Sequence, residues 1–369
     1  MKIAICAGKT GGHIFPALAV ARALKEKRKD ADPFFIGTRS GMDSGILKTE
    51  GFRFLPISGC GMPTGFGLRT FKCMFSLGIA LIQVFRIYRL EKPRLVLSFG
   101  GYISCAPVLV ARWMNIPVII HEANVQPGRA NRLLSRWANI VCTAFDLRRD
   151  RNSKMSFVNE KKIRVTGLPI RENFYGVNRE RARHVLKLDS HKLIVLVMGG
   201  SLGSRRINEC LIEALHELGD ISKRVQILHV TGKGDYERVM KQYQPNGVFY
   251  RAYPFMEDVE NAFHAADLFV GRAGASTLAE VVYCGVPSIL IPYPYAMDDH
   301  QLANAEYLAR EGAAQILEEN YLSSRILAQE ISKILLNEKL RQSMIQNMKS
   351  MDIADGASRI VRVIESVIS

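Results

Sequence analysis

Acidic residues are scarce in the first half of this 369-residue chain, where residues 1–168 hold 27 Lys and Arg against 10 Asp and Glu, a balance of +17. Residues 169–369 hold 23 and 25, a balance of −2, so one half carries all the excess positive charge. That asymmetry predicts an anionic surface or partner for the first half alone, be it membrane, nucleic acid or acidic substrate. Uninterrupted apolar runs are short. The longest, Cys73 to Phe85, is broken by Gln83 and flanked by Lys72 and Arg86, below the ~20 residues of a spanning helix. No basic leader with a cleavable apolar core precedes the strand pattern at Lys2–Cys6, so no signal peptide is expected. The seven cysteines (Cys6, Cys60, Cys73, Cys105, Cys142, Cys210 and Cys284) lack C-x-x-C or Cys/His metal spacing, which fits a reducing cytoplasm. The one D-x-D of interest, Asp30-Ala31-Asp32, lies between Arg28-Lys29 and Pro33 and reads as a solvated turn; no metal and no cofactor are assigned. Basic runs interleaved with aromatics are also missing, which argues against a nucleic-acid partner.

With 48% hydrophobic residues the chain is long enough for two cores and too apolar for disorder. Short apolar runs alternate with segments of helical period, the pattern of a parallel sheet covered on both faces. Strands are expected at 3–7, 33–36, 95–99, 117–121, 140–143 and 163–166, then at 193–198, 226–231, 248–250, 268–270 and 288–291. Each half opens with a buried strand, a glycine loop and a helix. A hinge is expected in Val165-TGLPIRENF, dividing domains 1–166 and 167–369. Two doubly wound domains facing a cleft would bring both glycine loops to strand carboxyl ends, where such sheets bind ligands. The last helix, about 357–367, repeats Ile360, Val363, Ile364 and Val367 and so packs on something, with a return to the first domain open to it.

Gly8-Lys9-Thr10-Gly11-Gly12-His13 contains G-K-T but lacks the earlier glycine of a P-loop, and it is no G-x-G-x-x-G. It reads as a strand, small residues and a helix opening near Pro16, with His13 at its mouth. Gly199-Gly200-Ser201-Leu202-Gly203-Ser204 precedes a second helix, whose free amides suit a phosphate unless Ser204 caps them. In Gly271-RAGASTLAE, Thr277 and Glu280 have capping-box spacing, which favours a cap for Glu280 over a bidentate contact to a ribose. Asp298-Asp299-His300-Gln301 either lines a cleft or forms a polar turn.

Taken together, Thr10-GGHIFPALAVA, Gly100-GYISCAP, His121-EANVQPGRANRLL, Gly167-LPIR, Gly199-GSLGS, Arg272-AGASTLAE and His300-QLANA resemble the MurG family of UDP-N-acetylglucosamine-dependent glycosyltransferases over nearly the whole chain. The resemblance implies a GT-B fold of two Rossmann-like α/β domains, the first binding the acceptor and the membrane, the second the donor UDP-GlcNAc. It implies inverting transfer to the C4 hydroxyl of undecaprenyl-pyrophosphoryl-MurNAc-peptide by a peripheral enzyme on the cytoplasmic face of the bacterial inner membrane. By motif position, Thr10, Gly11, Gly12, Asn124, Arg171, Ser201, Met256, Ala275, Ser276, Thr277, Leu278, Ala279, Glu280 and Gln301 resemble donor contacts. His13 resembles the proposed base, with Glu122 as a second candidate, and Tyr102, Ser104 and Asn131 are acceptor-side candidates. Lys9, Cys105, Ala123, Leu168 and Leu202 depart from the family pattern, so contacts from the family's side chains there do not carry over. The alternative is another GT-B sugar-nucleotide enzyme, acting on a different lipid or natural product or epimerising UDP-GlcNAc at C2.

The segment Gly67-LRTFKCMFSLGIALIQVFRIYRL spaces Phe71, Phe75, Ile79, Ile82 and Phe85 as on a helix, with Arg69, Lys72, Arg86 and Arg89 around them. A core helix with cationic ends explains the pattern as well as a helix docking on an anionic bilayer does. The unmatched +17 favours the bilayer.

Overall fold

A computed structural model gives the fold. It describes residues 1–8, 11–38, 47, 49–59, 68–146, 158–200, 202–244, 247–351 and 355–368, with backbone only for 68–70. The chain forms two compact units, Met1–Arg171 with Ile353–Ser369, and Glu172–Asp352.

In the first unit, strands β1 (Lys2–Cys6), β2 (Asp32–Thr38), β3 (Arg53–Ile57), β4 (Leu95–Ser98), β5 (Val118–Glu122), β6 (Ile140–Thr143) and β7 (Ile163–Val165) make one parallel sheet. Its order is β3-β2-β1-β4-β5-β6-β7. Helices α1 (Gly11–Lys27), α2 (Leu68–Glu91), α3 (Cys105–Trp113) and α4 (Arg129–Leu134) connect the strands. The central strands are buried on both faces, which is why they read as unbroken apolar runs. Strand β3 escapes that reading because it is an edge strand carrying Pro56 and an exposed Arg53.

The second unit repeats the plan. Strands β8 (Leu193–Met198), β9 (Val225–Val230), β10 (Phe249–Tyr253), β11 (Leu268–Gly271), β12 (Ser288–Leu290) and β13 (Ala314–Ile316) order themselves β10-β9-β8-β11-β12-β13, all parallel. Its helices are α5 (Arg179–Val185), α6 (Arg205–Ala214), α7 (Tyr236–Gln242), α8 (Val259–Ala265), α9 (Ala275–Cys284), α10 (His300–Arg310), α11 (Ser324–Leu336) and α12 (Glu338–Ser350). Strand β13, three residues at an edge, is too short to register as a period. The chain then returns to the first unit, where α13 (Gly356–Ile368) packs Ile360, Val361 and Ile364 into the core formed by α1 and the central strands.

Helix α2 is neither a core helix nor an apolar rod. Cys73, Ala80, Val84 and Tyr88 form its buried stripe, and the Tyr88 hydroxyl donates to Pro107 O at 3.3 Å beside α3. Phe71 is 79% exposed, Phe75 72% and Ile82 57%; Ile79 is also exposed, and Phe85 is half-buried against the exposed Trp113. The core-helix reading therefore fails for four of the five apolar positions. Its last 21 residues, at a mean hydropathy of 1.4, reach the length and composition of a membrane span, but the buried stripe fastens the helix to the first unit. Among the described residues Cys6, Cys105, Cys142, Cys210 and Cys284 are free and Cys73 is disulfide-bonded, a bond that the reducing compartment expected from the cysteine pattern does not favour.

Candidate active site

Strand order reverses between β1 and β4, and a parallel sheet leaves a crevice at the carboxyl ends of such a pair. The loops leaving these strands touch there: a Cβ on Gly101 would stand 3.2 Å from the Gly8 Cα, at a φ of +81° that favours glycine. Helix α1 opens at Gly11, five residues before the expected start, so Pro16 lies inside it. A proline there offers no N–H to the carbonyl of Gly12. Gly11 and Gly12 thus form the first turn and His13 follows, its Nδ1 so close to Gly8 that a Cβ on that glycine would meet it at 3.0 Å. Loss of solvent lowers the His13 pKa, which leaves a neutral imidazole at pH 7. Thr10, like Lys9, lies outside the described residues.

Glu122 ends β5 in a different condition. Its buried carboxylate accepts from Asn124 N at 2.8 Å and Asn124 Nδ2 at 3.4 Å on one oxygen, and from Gly128 N at 3.1 Å and Asn131 Nδ2 at 2.9 Å on the other. Burial raises its pKa against those four donors. The group braces the loop that presents the half-buried Asn124. Asn131 also donates to His121 O at 3.1 Å, and Ser104 Oγ donates to Gly100 O at 2.9 Å. Both side chains are buried supports of the crevice, so of the three acceptor-side candidates only Tyr102 keeps appreciable surface.

His121 was not singled out by sequence. It is buried, its Nε2 donates to Gly167 O at 3.1 Å, and its ring tilts against Phe99 at 5.3 Å. Because a carbonyl only accepts, the proton sits on Nε2. Burial pushes its pKa down to about 4. The bond fastens Gly167–Arg171 to β5, and Arg171 lies over the Phe15 ring of α1 at 5.6 Å.

In the second unit the reversal falls between β8 and β11. Gly203 has φ +80°, and a Cβ on it would meet Thr231 O at 2.0 Å, so no other residue fits this turn of the glycine loop. Ser204 occupies the cap position of α6, but its hydroxyl makes no bond to the helix. It accepts from Arg272 Nη2 at 2.7 Å instead, so Ser204 does not cap the first amides of α6. Such a terminus favours an anion. Ser201 lies outside the described residues.

Helix α9 begins after Gly274, whose extended backbone takes the cap position. Ala275, Ser276 and Thr277 form its first turn, and Leu278, Ala279 and Glu280 follow, all three buried. The capping-box reading of Thr277 and Glu280 is therefore wrong: that spacing also occurs inside a helix, and here the helix starts earlier. Met256 is buried just beyond β10. Asp298 and Asp299 make a short turn with φ of 53° and 54°, and Gln301, in the first turn of α10, accepts from Tyr293 N at 3.0 Å. Among the described residues no group of three or more His, Cys, Asp or Glu is placed to hold a metal ion.

Comparison with known proteins bears directly on this arrangement. Residues 3–143 match the glycosyltransferase family 28 N-terminal domain and residues 194–360 its C-terminal domain. The UDP-N-acetylglucosamine–N-acetylmuramyl-(pentapeptide) pyrophosphoryl-undecaprenol N-acetylglucosamine transferase of Desulforamulus reducens is 35% identical, over 100% of this chain and 99% of the relative. The enzyme of the same name from Methylococcus capsulatus is 39% identical, over 98% and 97%. The crystal structure of Acinetobacter baumannii MurG superposes with a TM-score of 0.79 at 30% identity, covering 99% of each chain. Two sheets of one strand order, both family 28 domains and these full-length relatives agree, and the chain belongs to the MurG family of UDP-N-acetylglucosamine-dependent glycosyltransferases.

Proposed function

We propose that the enzyme transfers N-acetylglucosamine from UDP-GlcNAc to the C4 hydroxyl of undecaprenyl-pyrophosphoryl-MurNAc-peptide, with inversion at the anomeric carbon. The acceptor hydroxyl attacks as the bond to UDP breaks, and His13 takes the hydroxyl proton. The observation that carries this reading is the desolvated, neutral His13 imidazole set against the backbone of Gly8. Negative charge gathering on the departing diphosphate is met by the open amides of α6. Glu280 receives the ribose hydroxyls, Met256 backs the uracil, and Gln301, Asn124 and Arg171 contact the sugar and diphosphate. Glu122 braces Asn124 and moves no proton.

The acceptor is lipid-anchored, so the enzyme must meet it at a bilayer. The exposed strip Phe71, Phe75, Ile79 and Ile82 of α2, edged by the exposed Lys72, Arg86 and Arg89, supports reversible docking on the anionic cytoplasmic leaflet of the bacterial inner membrane. Pure protein mixed with labelled UDP-GlcNAc and lipid-linked MurNAc-peptide is expected to yield a labelled lipid and free UDP. Conversion of UDP-GlcNAc without acceptor would instead support an epimerase.

A further inference from the structure

Arg272 is the side chain on which three loops at the carboxyl end of the second sheet meet. It directly follows β11 and is only 8% exposed although it carries a permanent charge. Nη1 donates to Ile291 O and Pro292 O, each at 3.0 Å; Nη2 donates to Ser204 Oγ at 2.7 Å and pairs with the Glu319 carboxylate. The Tyr293 ring lies 5.3 Å from the guanidinium carbon. A buried ion pair adds little net stability over an apolar replacement, so the gain from this one lies in the geometry it fixes.

What it fixes is Ser204. A serine at a helix cap ordinarily turns its hydroxyl onto an amide of the first turn, and here Arg272 draws that hydroxyl away. We propose that Arg272 is a positioning residue for the donor diphosphate: by holding the Ser204 hydroxyl, it keeps a competing cap off the amides of α6 that receive phosphate. The anchorage is stiff because the same fork is fastened to the main chain after β12 and to Glu319. The inference rests on the reading that α6 receives the diphosphate of UDP-GlcNAc.

Titration of the full chain with UDP, alongside the KM for UDP-GlcNAc, tests it in four proteins: wild type, Arg272→Lys, Ser204→Ala and the double variant. Lysine keeps the charge but loses the fork, freeing Ser204 to cap. A cap bond of ordinary strength lowers UDP affinity about fivefold. Ser204→Ala has no hydroxyl to compete and is expected to bind within about twofold of wild type. The double variant regains the affinity that Arg272→Lys loses, since removing the competitor restores the amides. A merely structural role for Arg272 predicts no such rescue. A double variant as weak as Arg272→Lys overturns the proposal, and so does a fivefold loss in Ser204→Ala alone. If Arg272→Lys does not fold, Arg272→Gln with and without Ser204→Ala gives the same comparison, and absence of rescue there overturns the proposal. Failure of the parent reading looks different, because wild type itself would then bind no UDP and both readings fall together.

Discussion

Replacing Glu122 by glutamine separates a brace from a base. Each carboxylate oxygen accepts two N–H groups, so whichever becomes the amide nitrogen turns two donors toward a donor. Leaving a buried donor unpaired costs ~1–3 kcal/mol, or about 2–6 kcal/mol for the pair. That is a large share of the ~5–15 kcal/mol holding a typical domain together. At ~2–4 °C per kcal/mol for units of this size, the melting temperature of the first unit should fall by roughly 10 °C. Differential scanning calorimetry reads the shift, and the second unit, which holds no partner of Glu122, serves as an internal reference. Turnover should fall only as far as Asn124 is displaced. A base would behave in the opposite way, with turnover down a hundredfold or more and melting unchanged. That result would refute the bracing argument and restore Glu122 to the chemistry.

Four further outcomes are expected. His13→Ala should lower turnover by ~10² to 10⁴ with UDP affinity intact, and because burial lowers its pKa the acid limb of the wild-type kcat/KM profile should fall below the ordinary ~6.5; a limb above that value counts against His13. Glu280→Gln should weaken UDP binding, and equal UDP affinity in calorimetry would exclude a ribose contact. Sedimentation should show salt-sensitive binding to anionic vesicles, each cation near the surface contributing ~1 kcal/mol, whereas equal binding to neutral vesicles would end the electrostatic account. His121 and His229, the latter buried in β9, have pKa values pushed down to about 4 and about 3 by burial and refuse protons that the unfolded chain accepts below ~6.5; stability should fall as pH drops from there toward 4, and a urea midpoint equal at pH 7 and pH 5 would contradict this.

The central strands were legible because burial on both faces leaves a continuous apolar run, as in Leu193–Met198, and the sheet plan follows from their alternation with helices. Edges were not: Arg53–Ile57 carries a charge and a proline, and Ala314–Ile316 is three residues long. Glycine loops announced the crevices, yet helix starts were misplaced at Pro16 and at Thr277. A proline is tolerated within α1, and the extended Gly274 takes the cap position that Thr277 seemed to offer. Supports were the hardest to see. Glu122, Asn131 and Ser104 have the chemistry of a site, and only burial and bonding distances set them behind it. Arg272 stood in plain view after a buried strand, but its partners Ser204, Ile291, Pro292 and Glu319 are scattered along the chain, and no local pattern joins them.

The return of α13 to the first unit has a consequence for synthesis. Ile360, Val361 and Ile364 cover apolar surface of the first core, against α1 and strands made long before them. Translation proceeds at ~5–20 residues per second, so the second unit alone takes roughly 10–40 s to emerge. Throughout that time the N-terminal segment carries an uncovered hydrophobic face, while the second unit, continuous in sequence, can complete its own core. The unit begun first is thus the last to close, because its covering helix is made after the whole second unit. A premature stop between residues 352 and 360 would leave the second unit whole and strip from the first the Ile360, Val361 and Ile364 side chains that cover its core.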